Sequence, residues 1–581
     1  MSSCSNLTKQ SVSAVKWSAF GNLARYGLQL GAQIVLAHLL GSENYGLFAL
    51  GMMVLNFSNM LANFGLAWGL VQVQELTNED VRFVFTWQLI SGTITGIGLY
   101  FLSPVVASFF NEIRLESIIK WLSLACILSA ATATASNLLR RRLDFKAINI
   151  IEVISYIIGY IVIGVPLAFN GAGVWSLVAA WLSQTFCALI LYFIRSPHSL
   201  KPLFWYEGAM KITGVGYTVF ITNICNWLLA NLDCTLLGRF LNAQSVGLYS
   251  LGYNLANTPN SFLVGALQPA FLAVGARIQT ETDRLRGAYL SVLASIWILI
   301  LPMFVILAII AKDLVAVLYG SAWDSSGLVL TILALSMPAY ITFGLSTPVL
   351  WNTGRNYWES LLQFPILAAS GFAYFNLASQ GVVMVAIVAA LTLLARAIVI
   401  TSAACHQLKI SPRDLLSIAI RAIGMASVAA VGAFAGLDVG RIVAISISQL
   451  FVVNGIVVNH ILVSHHFYAL LLGISIGSSL LMVTSFVYPK ILGAQVINML
   501  GRFNQSLFVI FNRRLQSTSL HSYALLACVL SGSCILITPP LIYPRILEVR
   551  VLQMLEYFNQ PVNVSLNNKV GSTSNKEQVG R

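Results

Sequence analysis

Runs of about 20 apolar residues recur along this chain with little between them, and that pattern decides most of what it can fold into. They fall at about 15–40, 46–71, 82–110, 117–139, 148–169, 173–194, 212–238, 247–274, 288–311, 327–350, 359–378, 381–404, 414–435 and 440–463. Each is long enough to cross a bilayer as a helix, which satisfies its own backbone hydrogen bonds in the absence of water. The chain reads as an all-α polytopic membrane protein of about 14 spans, with room for one or two further spans after residue 465. Composition agrees: of 581 residues, 57% are hydrophobic and only 9% charged, against roughly 25% charged in a soluble domain. A soluble enzyme, a nucleic-acid binder and a disordered scaffold are excluded, because none could hydrate its surface with so few charges. The lipid bilayer is the expected partner; nucleic acid is not.

The net charge is +13. Cytoplasmic loops of membrane proteins are rich in Lys and Arg. With the N-terminus placed inside, alternate loops put 16 basic residues inside and 5 outside. The inside group includes Arg82, Arg140, Arg141, Arg142, Arg195, Lys201 and Arg355. A multi-pass plasma-membrane location with a cytoplasmic N-terminus follows.

Two internal repeats are visible. At an offset of 201, Leu40–Gly51 (LGSENYGLFALG) aligns with Leu241–Gly252 (LNAQSVGLYSLG). The same offset pairs Asn22 with Asn223, Asn56 with Asn257 and Asn59 with Asn260. Each half then holds about six spans, over 1–200 and 201–405, followed by two helices in 406–465. Transporters are often built from two such halves with the substrate path between them. At an offset of 55, His466–Leu492 aligns with His521–Leu547, so 466–581 reads as a duplicated apolar extension with a polar tail.

Catalytic signatures are missing. The chain has neither a P-loop string nor HExxH. Its 8 cysteines are scattered without a CxxC pair, and its 7 histidines form no metal constellation. No enzyme activity, cofactor or metal is expected.

Polar residues inside the spans are costly in lipid and mark working surfaces. At about 100° per residue, Ser18, Asn22, Gln29 and Gln33 fall within about 80° of Arg25 on the first span. Such a stripe fits a wet cavity, or a hydrogen-bonded ladder between helices. On the seventh span Thr222, Asn223, Asn226 and Asp233 share a face, with Asn226 taking the place of Arg25 at the 201 offset. Asp233 reads either as an ion-coupling carboxylate for a proton or Na⁺, or as half of a structural ion pair across the halves. Asn56, Asn59 and Asn63, with Asn254, Asn257 and Asn260, suit sugar hydroxyls and helix contacts equally.

Several strings carry a family likeness: Lys16-Trp17-Ser18-Ala19, Leu36-Ala37-His38-Leu39-Leu40-Gly41, Asn44-Tyr45-Gly46-Leu47-Phe48-Ala49 and Phe64-Gly65-Leu66. The second half adds Leu237-Gly238-Arg239-Phe240-Leu241, Val246-Gly247-Leu248-Tyr249 and Leu318-Tyr319-Gly320-Ser321-Ala322-Trp323. Over about residues 10–465 the chain resembles the bacterial lipid-linked oligosaccharide flippases, the Wzx-type exporters of the MOP superfamily. The resemblance implies two pseudo-symmetric six-helix bundles plus two C-terminal helices. It implies an undecaprenyl-diphosphate-linked oligosaccharide flipped across the inner membrane by alternating access, with a polysaccharide polymerase as a candidate partner. The expected substrate cavity comprises Arg25, Asn22, Gln29, Gln33, Asn56, Asn59, Asn223, Asn226 and Asn257, with Asp233 for ion coupling. Two other functions compete: a multidrug cation antiporter of the same superfamily, disfavoured by a cavity arginine, and a membrane glycan polymerase, disfavoured by the lack of a large external loop.

Overall fold

The computed structural model describes the backbone of residues 2–487 apart from 64–66, 68–69, 71–75, 143, 207–215, 280, 356 and 452–457. Among the described residues all regular structure is helical. The helices are α1 (Ser2–Asn63), α2 (Asn78–Phe109), α3 (Arg114–Arg141), α4 (Phe145–Tyr156), α5 (Val165–Phe169), α6 (Val174–Arg195), α7 (Gly216–Phe240), α8 (Ala243–Arg277), α9 (Thr282–Tyr319), α10 (Asp324–Asn352), α11 (Tyr357–Leu377), α12 (Val382–Gln407), α13 (Pro412–Phe451) and α14 (Val458–Val487). A π-helical turn, Ile157–Gly164, joins α4 to α5. Ten helices among the described residues are long and apolar enough to cross a membrane.

The first two expected spans form one helix broken at Gly41, whose φ of 70° is left-handed. Glycine adopts that conformation without a Cβ penalty. The second copy turns the corresponding corner differently. Asn242, one repeat later, is extended and caps α8 by accepting from Ser245 N at 2.9 Å. An Asn at this position satisfies one of the unpaired N–H groups of a helix start.

The two halves meet at the end marked by these corners. Leu47, Leu50 and Leu55 of α1 share one buried cluster with Leu237, Val246, Tyr249 and Leu251. Ion pairs and rings reinforce that end: Arg114 meets Glu43 at 2.6 Å, Arg239 donates to Phe109 O, and Tyr45 packs edge-on against Trp323. The segment 199–206, which leads to the second half, lies along α2. Arg82 donates to Lys201 O and Pro202 O, Trp87 to Phe204 O, and Leu203 N to Thr86 Oγ1; Tyr206 bonds Asp80.

The C-terminal helices are placed differently from the sequence expectation. The fourteenth span was expected over 440–463. Instead α13 continues to Phe451 and α14 runs Val458–Val487, so position 465 falls inside a helix. Small residues explain the placement. Gly432, Gly436 and Gly440 of α13 meet Gly477, Gly473 and Ala469 of α14 backbone to backbone. Such stripes let membrane helices approach closely. Together they pack on α9 through Ile306, Ile310, Ala433 and Leu437. His466 bonds Asp313 of α9 at 2.5 Å, with Arg441 3.7 Å from the same carboxylate. The string Gly473-Ile474-Ser475-Ile476-Gly477 spells GxSxG, yet it lies in mid-helix with Ser475 bonded to Leu471 O. It is no nucleophile elbow, which needs a strand-to-helix turn. The second copy, 521–547, lies outside the described residues.

Candidate functional site

The expected stripe on the first helix is described from Arg25 onward; Asn22 lies outside the described side chains. Arg25 Nη1 stands 3.5 Å from Glu152 Oε2 of α4. Tyr192 of α6 donates its hydroxyl to Glu152 Oε1 at 2.9 Å, which fixes the carboxylate from behind. The Arg25 side chain is 37% exposed. A guanidinium has five N–H donors, so one contact at 3.5 Å leaves donors directed elsewhere. Gln29 is half-buried on the same helix, and Gln33 donates to Tyr45 Oη at 2.9 Å. By helix rise, Arg25 sits about 24 Å along the axis from the corner at Gly41.

The second half repeats the plan with its charges rearranged. Asn226 of α7 occupies the place of Arg25. Its Nδ2 donates to Glu359 Oε1 of α11 at 3.2 Å, and its Oδ1 accepts from Arg396 Nη2 of α12 at 2.8 Å. In both halves the first helix is tied to an acid on the fifth position of the bundle; Tyr192 of the sixth backs Glu152, whereas Trp351 of α10 backs Glu359 and Arg396 of the sixth bonds Asn226 instead. In the first half the cation stands on the first helix, in the second on the sixth. Arg396 and Glu359 were not among the sequence candidates. Arg396 interrupts an apolar run, so the rule that singled out Arg25 also applied to it. Asn223 lies outside the described side chains.

Asp233 is buried and pairs within its own half. Its Oδ2 accepts from Tyr249 Oη at 2.5 Å and its Oδ1 from Cys234 N at 2.7 Å. Arg25 has Glu152 as its carboxylate partner, so the structure does not join Arg25 to Asp233 as an ion pair across the halves. Asn56 is exposed and Asn59 half-buried on α1. Asn257 accepts from Asn260 Nδ2 at 2.7 Å, so part of that amide pair is spent on itself. Tyr45 also meets Asn254. The site is therefore two polar clusters, one per half, on helices whose other faces are apolar. Among the described residues it offers a partly exposed cation, several amides and a separate buried carboxylate. Among the described residues no group of His, Cys, Asp and Glu could hold a metal ion.

Comparison with known proteins agrees with this architecture. The lipopolysaccharide biosynthesis protein WzxC of Escherichia coli (strain K12) is 25% identical over 337 residues, 57% of this chain and 67% of that protein. The succinoglycan biosynthesis transport protein ExoT of Rhizobium meliloti (strain 1021) is 25% identical over 352 residues, 60% of this chain and 71% of its own length. Among solved structures, the lipid II flippase MurJ in an inward closed conformation matches with a TM-score of 0.55 at 13% identity, covering 83% of this chain and 98% of MurJ. An inward-facing multidrug resistance MATE family transporter of the MOP superfamily matches at 0.50 and 13% identity, covering 68% and 94%. These two likenesses establish the fold, that of MOP-type transporters. A family profile described as "Polysaccharide biosynthesis protein" matches residues 35–327, and the chain is a member of that polysaccharide biosynthesis protein family.

Proposed function

We propose that this chain flips undecaprenyl-diphosphate-linked oligosaccharide units across the bacterial inner membrane for polysaccharide export. The diphosphate-sugar headgroup passes between the two halves while the lipid tail stays in the bilayer. Family membership, the named polysaccharide-pathway relatives and the MOP-type fold support a transporter rather than an enzyme. The observation that carries the reading is Arg25: a cation 37% exposed in a membrane-spanning helix, with one long carboxylate contact. An intramembrane arginine needs water or an anion, and a diphosphate supplies the anion.

Arg25, flanked by Asn22, Gln29 and Gln33, is read as the diphosphate contact. Asn56, Asn59, Asn223 and Asn257 are read as sugar contacts. Asn226 spends both ends of its amide on Glu359 and Arg396, and contributes to the cavity wall with what remains. Asp233 is read as the ion-coupling carboxylate. The halves 1–200 and 201–405 rock as pseudo-symmetric bundles, with the N-terminus cytoplasmic and a polysaccharide polymerase as a candidate partner.

Replacing Arg25 with Ala is expected to abolish export and to accumulate lipid-linked units in the inner leaflet. Normal export by that variant defeats the role. A cation antiporter is the second reading, since one fold match is a multidrug transporter. It predicts that Arg25→Ala preserves or improves resistance to cationic drugs.

A further inference from the structure

The fifth span carries a tyrosine pair that the headgroup contacts named above leave unused. Glu152, Tyr156 and Tyr160 follow one another at four-residue steps along α4 and the π-helical turn; Arg25, Gln29 and Gln33 do the same on α1. The two stripes meet where Arg25 stands 3.5 Å from Glu152. In an uninterrupted α-helix two such steps drift by about 80° around the axis. The wider turn over Ile157–Gly164 works against that drift and keeps Tyr160 over Tyr156. Their rings stack, with centroids 4.6 Å apart and planes 14° apart. Two glycines press the turn onto α6. A Cβ on Gly159 would fall 2.5 Å from Ala180 O, and one on Gly164 2.9 Å from Ala180 Cβ. Such turns recur at functional sites.

Tyr156 is 5% exposed and Tyr160 half-buried. A buried tyrosine hydroxyl usually finds a hydrogen-bond partner. The neighbouring Tyr45 and Tyr192 do, accepting from Gln33 and donating to Glu152, each at 2.9 Å. Tyr156 lies within electrostatic reach of Arg25 and Tyr45, and Tyr160 of Tyr45. Yet neither hydroxyl has a hydrogen-bond partner among the described residues. Nor is either oxygen sealed off, as the unpartnered Trp181 Nε1 and Gln184 Oε1 of α6 are. A 95%-buried ring thus points an unpaired hydroxyl into reachable space one turn from the cation.

The ligand class follows from that combination. An aromatic surface beside two unpaired hydroxyls suits a group with an apolar face and a polar rim. A pyranose is such a group: its C–H bonds meet the negative face of an aromatic ring, and its hydroxyls both donate and accept. A lipid tail has no use for the tyrosine hydroxyls, and a cation is repelled by Arg25. From Glu152 to Tyr156 the helix rises about 6 Å, so a sugar at the tyrosines adjoins a diphosphate at Arg25. We propose that Tyr156 and Tyr160 form the subsite for the sugar joined directly to the diphosphate. Tyr160, the more exposed ring, is the stacking platform, and the two hydroxyls bond the sugar's edge. The proposal deepens the flippase reading and rests on the diphosphate standing at Arg25. The second half carries no such pair: the same steps from Glu359 reach Gln363 and Leu367, and Gln363 accepts from Arg396. The sugar is therefore read from the first half's wall.

The test uses the full-length protein in nanodiscs. Calorimetry compares inorganic phosphate with the 1-phosphates of glucose, galactose and N-acetylglucosamine, and inorganic pyrophosphate serves as the reference anion. At least one sugar phosphate is expected to bind about tenfold more tightly than inorganic phosphate, near the upper end of what an aromatic contact adds. Saturation-transfer NMR is expected to show its ring protons receiving magnetisation from protein aromatics. Tyr160→Leu, which installs the side chain found at the matching step of α11, should remove the gain and the transfer while keeping pyrophosphate affinity. Tyr156→Phe/Tyr160→Phe keeps both rings, and so the transfer, but loses part of the gain. A wild type that prefers none of the sugar phosphates, or a gain that survives Tyr160→Leu, overturns the proposal. Should Tyr160→Leu lose pyrophosphate binding through misfolding, the double variant decides: an undiminished gain without either hydroxyl overturns it. Pyrophosphate that fails to bind the wild type overturns the reading of Arg25 instead, while transfer to the neutral methyl glycosides of the same sugars still decides the subsite.

Discussion

Gly46 and Gly247, one repeat length apart in the chain, press against each other's helices reciprocally. A Cβ on Gly46 would fall 1.7 Å from Ala243 O, and one on Gly247 would fall 1.9 Å from Ser42 O. Ser42 and Ala243 are themselves 201 positions apart, so each glycine meets the same carbonyl in the other copy. The obstructing atoms are backbone and cannot swing aside. Gly46→Ala is expected to pry the halves apart at this end, at a cost of about 1–3 kcal/mol by overpacking. Two measurements check it: a lower melting temperature in detergent, and increased labelling of a cysteine placed at Val246.

The pairing of Arg25 with Glu152 gives a directional prediction. Glu152 competes with any anion for the guanidinium. Glu152→Gln is expected to keep or strengthen pyrophosphate binding, whereas Arg25→Ala removes it. Tyr192→Phe, which loosens the carboxylate without removing it, is expected to fall between. Calorimetry on the three purified variants settles the order.

Packing of α13 on α14 predicts that the chain cannot be shortened at residue 465. A Cβ on Gly436 would lie 2.4 Å from Leu472 O. Gly436→Leu is expected to separate the two helices, and truncation after 465 to expose the apolar face of α9 around Ile306 and Ile310. Both should lower thermal stability, with the truncation costing more.

Acid should loosen the segment that joins the halves. His198 is packed edge-on between Phe85 and Phe193, and burial pushes its imidazole below the ordinary histidine range. The neutral ring is the form that fits. The stability it contributes is fully present above the unfolded-state value, near 6.5, and is lost as pH falls towards the lowered folded value. Protease cleavage within 199–206 is expected to accelerate on acidification, and His198→Phe should abolish that dependence.

The all-helical, many-span character was legible because lipid imposes one rule on every crossing helix. The same rule drew attention to Arg25, which the structure pairs with Glu152. Glu152, Glu359 and Arg396 were equally costly charges, but each gained meaning only through a partner on another helix. Arg25 and Glu152 are 127 positions apart, and Asn226 and Arg396 are separated by 170. No periodicity within one helix reports such pairings. The last helix was misplaced for a related reason. Hydropathy says that a stretch is apolar enough, and does not say which stretch finds a partner. Gly432, Gly436 and Gly440 met Ala469, Gly473 and Gly477, and that contact set the position.

The hydrogen bonds that lay 199–206 along α2 make those residues part of the first half. A connection bonded in this way cannot take up slack: when α2 moves, Lys201 to Tyr206 move with it, and the connection carries that displacement onward instead of absorbing it.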